Sequence, residues 1–342
     1  MKKIRLGILG CGRVSVKHFE ALQKNTDLIE LVAVCDADIA RAEKAAAPFS
    51  AQAFSDFDLM LDSCQLDAVS ILLPNGLHPE YAIRAARKKV NVITEKPMAI
   101  KYQDGLAMKA EAEKNGVKLF VIYQNRFNPT IQALNKAVED GRFGQVHLIT
   151  SNVFWHRPQE YYTKDATWHG TKNLDGGAFY TQASHYVDLI CWVVRDELKS
   201  VHSNLVTLAR KIETEDCGVA SIEWKNGTLG NLNVTVLTYA NNLEGSVTII
   251  GEKGTVRIGG IAMNEIEYWE FSEMTDYDRN IKSLNYHTDS VYGYGHIDYY
   301  RNMAETLLGK ANPLVDADQG LVSLKLLDAI YESAQKGAAV TF

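Results

Sequence analysis

The pattern of hydrophobic and polar positions changes once along the chain, near residue 123. Before that point, short apolar runs typical of buried strands alternate with segments whose apolar positions repeat at helical spacing. The apolar runs cover residues 4–9, 31–35, 66–73, 91–94 and 117–122. Strands and helices in alternation predict a parallel sheet with helices on both faces and ligands at the C-terminal strand ends.

From residue 145 onward, longer segments rich in β-formers dominate. Two glycine-containing turns, Asn226-Gly227 and residues 251–254, predict β-hairpins within them. A helix is predicted at residues 178–194, and two more helices close the chain.

We therefore predict two domains in an α/β protein. Residues 1–122 are expected to form a Rossmann dinucleotide-binding domain. Residues 123–342 are expected to form an α+β domain with a large, mostly antiparallel open sheet that binds substrate. Helices are too few to cover both faces of that sheet, so we expect a homotetramer associated through the uncovered face.

A glycine turn joins the first strand to the first helix, in the order Gly10-Cys11-Gly12-Arg13-Val14-Ser15. Glycine here lets a pyrophosphate approach the backbone, where amide groups and the helix dipole meet its charge. The second strand ends at Asp36, where dinucleotide folds keep an acid for the adenosine ribose hydroxyls. This order predicts a dinucleotide site whose first members are Gly10, Gly12, Arg13, Val14 and Asp36.

The predicted cofactor is NAD rather than NADP. Asp36 would repel a 2′-phosphate, and Ala37 brings no positive charge beside it. Arg41 is the one nearby residue that could weaken this prediction.

Net charge and cysteine content limit the classes of binding partner and the cellular location that we expect. The 342 residues carry a net charge of −6, which argues against nucleic acid and anionic membranes as partners. No apolar run reaches membrane-span length, and no signal-peptide pattern opens the chain. The five cysteines and nine histidines show no metal-type spacing. We expect a cytoplasmic protein without a metal.

Two residues could take part in proton transfer from an alcohol. Lys96, in Glu95-Lys96-Pro97, lies at a strand end, where its ammonium could reach a nicotinamide ribose and a substrate hydroxyl. His185 lies on the helix predicted at 178–194, and an imidazole with a pKa near ~6.5 suits a general base. Each residue alone also fits an ordinary role, as a solvated lysine or a packed helix histidine.

These residues together resemble the Gfo/Idh/MocA family, which includes glucose-fructose oxidoreductase and inositol dehydrogenase. The similarity rests on the glycine turn, the Glu-Lys-Pro run and the Gly176-Gly177 to His185-x-x-Asp188 run, and it extends over nearly the whole chain. It implies an NAD-dependent oxidoreductase acting on a CH–OH group, with Lys96 and His185 beside the reacting hydroxyl. The chain departs from the pattern at Thr181, where many sugar dehydrogenases of the family have an aspartate.

Seven further residues complete the predicted cofactor contacts. They are Pro74, Asn75, His78, Glu95, Lys96, Gln124 and Trp168.

A narrower resemblance comes from the runs 157–162, 168–171 and 175–178 with Gln182, and from the run 123–129. They are similar to bacterial enzymes that oxidise C3 of UDP-N-acetylglucosaminuronic acid (UDP-GlcNAcA) for surface-polysaccharide sugars such as those of lipopolysaccharide O-antigen. The implied substrate is a UDP-sugar acid. Its predicted contacts are Lys96, Arg126, Arg157, Tyr161, Tyr162, Thr181, Gln182 and His185. Lys101, Lys164 and Lys172 are further cations expected near the substrate.

We predict that His185 is the base, because an unperturbed lysine with a pKa near ~10.4 is charged at neutral pH. Lys96 would then position the hydroxyl and stabilise the alkoxide. The reverse assignment stays open at this point. With Thr181 in place of an aspartate, no carboxylate one helical turn away is expected to raise the pKa of His185.

Three alternatives to this enzyme remain at the level of the sequence. The first is another sugar or polyol dehydrogenase of the family. The second is a glycoside hydrolase that oxidises C3 transiently with bound NAD. The third is a dinucleotide sensor without catalysis, which the presence of both Lys96 and His185 disfavours.

Overall fold

The computed structural model describes residues 2–164, 167–288 and 290–342. The contacts between Cα atoms divide the chain into two compact units. The first contains the residues up to Gln124 together with Gly295–Leu324, and the second contains Asn125–Tyr294 together with Lys325–Phe342.

The strands of the described residues, in chain order, are β1 (Ile4–Leu9), β2 (Ile29–Cys35), β3 (Gln52–Phe54), β4 (Ala68–Ile71), β5 (Asn91–Thr94), β6 (Leu119–Val121), β7 (Val146–Phe154), β8 (Leu198–Val206), β9 (Cys217–Trp224), β10 (Leu229–Thr235), β11 (Glu244–Gly251), β12 (Gly254–Gly259), β13 (Glu265–Phe271) and β14 (Val340–Thr341). The α-helices are α1 (Ser15–Gln23), α2 (Ile39–Ala46), α3 (Phe57–Ser63), α4 (His78–Arg87), α5 (Tyr102–Asn115), α6 (Pro129–Glu139), α7 (Gln159–Thr163), α8 (Ala178–Thr181), α9 (Ser184–Val194), α10 (Asp276–Arg279), α11 (His296–Leu307) and α12 (Ala317–Lys336).

The first unit contains a parallel sheet with strand order β3-β2-β1-β4-β5-β6. All four residues of β4 are buried, as expected for a strand whose two faces are both covered. The order turns back at β1, and proteins with this topology bind their ligands at the C-terminal ends of the strands beside that point, here β1 and β4. The predicted Rossmann fold is confirmed.

Residues 295–324 pack within this first unit, although the sequence analysis placed them in the second domain. Asn25, two residues after the end of α1, donates from Nδ2 to the Ile297 carbonyl at 2.9 Å, across 272 positions of sequence. His18 Nδ1 on α1 lies 2.8 Å from Tyr300 Oη on α11. These long-range contacts hold α11 against α1, and the local pattern of the sequence contains no sign of them. The boundary at residue 122 itself stays a prediction.

The second unit contains a mixed sheet with strand order β13-β12-β11-β7-β10-β9-β8-β14. Among the described strands of this sheet only β7 and β10 are parallel neighbours, so the predicted mostly antiparallel sheet is confirmed. Along β9 the residues Ala220, Ile222 and Trp224 are buried, whereas the alternate positions are more exposed. That alternation is typical of a sheet with one covered face.

The helix predicted at 178–194 is two helices, α8 and α9, interrupted at Gln182 and Ala183. The Ala183 N–H donates to the Ala178 carbonyl, five residues back, at 3.0 Å. This wide turn interrupts the ordinary ladder between α8 and α9. Periodicity alone did not reveal the interruption, because the apolar spacing continues through it.

Among the described residues, no helix has both the length and the apolar content needed to cross a membrane.

Candidate active site

The glycine turn of the first unit combines one crowded and one open glycine. Gly10 has φ +99°, and a Cβ there would lie 2.6 Å from the Leu72 carbonyl oxygen. A Cβ on Gly12 would meet no described atom within 4 Å. The open space at Gly12, beside the start of α1, fits a pyrophosphate that approaches the backbone. The predicted contacts Arg13 and Val14 follow directly, at the N-terminal end of α1.

Asp36 follows β2, and its carboxylate is held by the neighbouring backbone. It accepts hydrogen bonds from the N–H groups of Cys11 at 2.8 Å and Asp38 at 2.9 Å. Arg41 lies 3.1 Å from the same carboxylate. Arg41, the cation that could have favoured a 2′-phosphate, therefore forms an ion pair with Asp36, the acid that disfavours a 2′-phosphate.

The backbone around Lys96 is fixed from two sides. The Lys96 N–H donates to Glu95 Oε2 at 3.0 Å, and Glu95 Oε1 lies 3.0 Å from His18 Nε2. The carbonyl of the next residue, Pro97, lies 2.8 Å from His78 Nδ1. Lys96 itself is half-buried at the C-terminal end of β5.

Glu95 and His78 are predicted cofactor contacts, but their surroundings favour a supporting role. His78 is fully buried, and its Nε2 lies 2.9 Å from the Leu73 carbonyl. Both oxygens of the buried Glu95 have hydrogen-bond partners within the protein. Burial alone would raise the pKa of Glu95, but the hydrogen bond from His18 and the neighbouring His296 ring hold it well below its ordinary value.

The other predicted cofactor residues are distributed over both units. Pro74 and the buried Asn75 follow β4, and the buried Gln124 follows β6, so all three lie beyond the C-terminal ends of strands in the first unit. Trp168 belongs to the second unit.

Arg126, a predicted substrate contact, forms an ion pair within the second unit. Its Nε and Nη2 atoms donate to the two Asp188 oxygens at 2.7 and 2.6 Å. Its guanidinium also lies 4.5 Å from the centroid of the Trp192 ring, and only 2% of the residue is exposed. A buried cation with a bidentate carboxylate partner has its charge neutralised already, which disfavours direct binding of an anionic substrate.

A carboxylate lies next to Thr181, where the sequence analysis expected none. The Thr181 hydroxyl hydrogen-bonds to Asp175 Oδ1, and Asp175 Oδ2 accepts the Gly170 N–H at 2.7 Å. Asp175 is buried, and His185 follows on α9 with 8% of its surface exposed. Thus Asp175 places an acid beside the residue that stands at the family's aspartate position. Asp175 lies six positions before Thr181, so an argument limited to one helical turn did not reveal it.

A second buried acid, Glu215, lies beneath the start of α8, and the sequence analysis missed it. Its Oε1 accepts hydrogen bonds from the Phe179 N–H at 3.0 Å and the Tyr331 hydroxyl at 2.7 Å. A Cβ on Gly177, which has φ +122°, would lie 2.4 Å from Glu215 Oε2. Burial is the main cause that raises the pKa of Glu215 to about 7.

Aromatic rings and two arginines cluster around α7. Tyr161 stacks on His169 with centroids 4.3 Å apart, and the Trp168 ring lies 4.0 Å from His169. The Arg157 guanidinium lies 5.4 Å from the Tyr161 centroid. Arg210, which the sequence analysis did not single out, donates from Nε to the Arg157 carbonyl at 2.7 Å. Within the described part of the chain, neither arginine has an ion pair with a carboxylate.

The remaining predicted substrate residues differ in exposure. Tyr162 and Gln182 are buried, whereas Lys101, Lys164 and Lys172 are exposed.

One group of side chains has metal-ligand geometry among residues 2–164, 167–288 and 290–342. Ligand atoms of His18, Glu95 and His296 all lie within 4.8 Å of one another. Sequence spacing could not reveal a group assembled from positions 18, 95 and 296.

The strand order, the open glycine turn and the acid after β2 define a dinucleotide-binding protein of the dehydrogenase type. Residues 4–123 match the family model described as "Oxidoreductase family, NAD-binding Rossmann fold", and residues 135–342 match "Oxidoreductase family, C-terminal alpha/beta domain". The chain belongs to the Gfo/Idh/MocA oxidoreductase family, and its cofactor is NAD. The predicted family resemblance is confirmed.

Two solved structures are similar over the whole chain. The WlbA dehydrogenase of Bordetella pertussis, in complex with NADH and UDP-GlcNAcA, is 48% identical with a TM-score of 0.96, covering 100% of this chain and 98% of that one. The WlbA dehydrogenase of Chromobacterium violaceum, with the same two ligands, is 46% identical with a TM-score of 0.94, covering 100% and 96%. Myo-inositol 2-dehydrogenase of Thermotoga maritima is 27% identical over 263 residues, or 74% of each protein. The chain is an NAD-dependent sugar dehydrogenase.

Proposed function

We propose that the protein oxidises the C3 hydroxyl of UDP-GlcNAcA to the 3-keto sugar with NAD. The observation that carries this proposal is the full-length similarity, at 48% identity and a TM-score of 0.96, to a dehydrogenase crystallised with NADH and UDP-GlcNAcA. The narrower resemblance of the run 157–162 and its neighbours points to the same substrate class.

The charge distribution of the second unit supports an anionic, ring-containing substrate. The substrate carries a diphosphate and a carboxylate, and an arginine can hold either in two parallel hydrogen bonds. Arg157 and Arg210 provide two such cations beside one another. The Tyr161 and Trp168 rings provide flat apolar surface for a uracil or a sugar.

In this proposal the chain's own residues divide the work as follows. Lys96 positions the reacting hydroxyl with its ammonium and stabilises the developing alkoxide. His185 takes the hydroxyl proton on its imidazole. When bound, NAD supplies the two-electron acceptor for the carbinol carbon. Asp175, through Thr181, brings a carboxylate to the segment that leads into the His185 helix.

The experiment measures NADH absorbance and product mass with purified UDP-GlcNAcA. We expect net NADH formation and a product lighter by two hydrogens. UDP-N-acetylglucosamine lacks the carboxylate and UDP-glucuronic acid lacks the N-acetyl group, so the two are matched control substrates that should react more slowly. Release of a free sugar without net NADH would contradict the proposal and support the glycoside hydrolase.

We also propose that the protein is a homotetramer associated through the sheet of the second unit. Leu148 on β7 is directly opposite Leu229 on β10 and Ile250 on β11, so three aliphatic side chains lie in one row across adjacent strands. Leu229 and Ile250 are 53% and 40% exposed. Apolar rows of this kind are stabilised when a second copy buries them.

Light scattering tests the association. The wild type should have four times the mass of one chain, and Leu229→Lys should lower that mass. Val16→Lys, which adds the same charge at an exposed aliphatic position of α1, should not. A monomeric wild type would contradict the proposal.

A cytoplasmic location is proposed as well, because all five cysteines are unpaired thiols.

A further inference from the structure

A buried hydrogen-bond relay in the first unit ends at the backbone N–H of Lys96. Ser70 Oγ on β4 lies 2.9 Å from Tyr300 Oη on α11, which lies 2.8 Å from His18 Nδ1 on α1. His18 Nε2 lies 3.0 Å from Glu95 Oε1, and Glu95 Oε2 accepts the Lys96 N–H at 3.0 Å. Ser70, Tyr300 and His18 are fully buried, and Glu95 is 6% exposed. The relay thus joins the helix after the dinucleotide turn to the peptide of Lys96.

The direction of each hydrogen bond follows from counting protons. An ionised Glu95 only accepts, so His18 Nε2 carries a hydrogen and donates it. In the tautomer that carries its hydrogen on Nε2, Nδ1 accepts from the Tyr300 hydroxyl. Tyr300 has only one hydrogen, so Ser70 donates to it. Each contact along this path then pairs one donor with one acceptor, which explains how these polar groups tolerate burial.

The same bonds argue for a hydrogen-bonded cluster rather than a metal site. His296 Nε2 lies 3.9 Å from Glu95 Oε1, and the His296 ring meets the His18 ring edge-on with centroids 5.0 Å apart. A metal ion would need the lone pair of His18 Nε2, which the hydrogen bond to Glu95 requires to be protonated.

We propose that Glu95 and His18 are positioning residues for the reaction, acting on the backbone of Lys96. Glu95 fixes the Lys96 N–H, and His18 fixes the carboxylate of Glu95. The Lys96 side chain therefore starts from a rigid peptide, and its ammonium reaches the substrate hydroxyl with little loss of orientation. This proposal rests on the role of Lys96 in the proposed function.

Variants at position 18 distinguish the hydrogen bond of His18 Nε2 to Glu95 from the hydrogen bond of Nδ1 to Tyr300. His18→Gln keeps an N–H donor at the distance of Nε2 and can still donate to Glu95. His18→Asn places its amide at the distance of Nδ1 and loses that donor. We expect His18→Asn to lower kcat by roughly 10- to 100-fold, with the Kd for NADH changed less than about threefold. His18→Gln should recover most of kcat.

Asn25→Ala is the matched control. Asn25 is buried just after the end of α1 and, like His18, hydrogen-bonds to α11, through the Ile297 carbonyl, but among the described contacts it has none to Glu95. This variant should lower thermal stability by an amount similar to His18→Asn and leave kcat near the wild-type value. An equal loss of kcat in both variants would show that His18 only stabilises the fold, and would overturn the proposal.

Amide hydrogen exchange provides a second measurement that needs no substrate. Exchange of the Lys96 N–H, followed in peptides that span residues 95 and 96, should be faster in His18→Asn and Glu95→Ala than in Asn25→Ala. Unchanged exchange would refute the positioning role of Glu95 and His18 even if the enzyme oxidises UDP-GlcNAcA. Faster exchange in a protein that does not oxidise this sugar would refute only the proposed function. A stoichiometric metal in the purified protein, lost in His296→Ala, would overturn the relay in favour of a metal site.

Discussion

Replacing Glu215 by glutamine should change how the stability of this protein depends on pH. Glu215 is 6% exposed, and among the described residues no cation is one of the main groups that shift its pKa. Those groups are the Tyr331 hydroxyl, the N–H groups of Phe179 and Glu215 itself, and the like-charged carboxylate of Asp175. Burial is the largest cause, and it raises the pKa of Glu215 from 4.5 to about 7.

The sign of the effect follows from proton linkage. The folded protein holds the Glu215 proton more tightly than the unfolded chain, so ionisation opposes folding. The contribution of protonated Glu215 to the free energy of unfolding is fully present below about pH 4.5. It is lost as the pH rises through about 7. The difference between the two pKa values corresponds to roughly 3 kcal/mol. Glutamine has no proton to lose, so Glu215→Gln removes this loss.

The assay is thermal or urea unfolding of both proteins between pH 5 and pH 8. The free energy of unfolding of Glu215→Gln, relative to wild type, should increase by about 2–3 kcal/mol over this range. Glu213→Gln is the matched control, because it makes the same chemical change at an exposed glutamate two residues earlier. Its pH profile should remain parallel to that of the wild type.

A constant difference between Glu215→Gln and wild type from pH 5 to pH 8 would refute the reasoning. It would mean that Glu215 ionises in the folded protein as it does in the unfolded chain. A decrease in relative stability at pH 8 would mean that the ionised carboxylate is stabilised by its hydrogen bonds rather than opposed by burial.

Three further predictions concern the cofactor, the substrate and the proton. Asp36→Ala should raise the KM for NAD and remove one of the two ion pairs of Arg41, which keeps the pair with Asp38, so the preference should shift toward NADP by at least about tenfold, or ~1.4 kcal/mol; a wild type that prefers NADP would refute the role of Asp36. Arg157→Ala should raise the KM for the sugar by one to three orders of magnitude, or ~1.5–4 kcal/mol; an unchanged KM would place the anion site elsewhere. His185→Asn should remove the acidic limb of the pH–rate profile, whereas Lys96→Ala should lower kcat and keep the limb; the opposite pattern would reverse the two roles.

The sequence was sufficient for the architecture and the cofactor, because both depend on local signals. A buried strand in a doubly covered parallel sheet is a continuous apolar run, and residues 66–73 show one. The turn at Gly10 and Gly12 and the acid at Asp36 lie within one strand–helix–strand unit. Their relative positions therefore follow from the chain itself.

The roles of individual charged residues required the tertiary structure. Arg126 is indistinguishable from Arg157 in the sequence, yet one is buried against Asp188 and the other has no such partner among the described carboxylates. Which cation is neutralised depends on packing between residues 62 positions apart. Composition and spacing contain no information about that packing.

The hydrogen-bond partners of the acids and histidines around the site could be predicted even less well from the sequence. Asp175 supplies the carboxylate that Thr181 lacks, and Glu95 is fixed by His18, 77 positions away. A side chain's charge, hydrogen bonds and pKa depend on which groups surround it and exclude water from it. Those neighbours come from distant segments, so only the folded chain determines them.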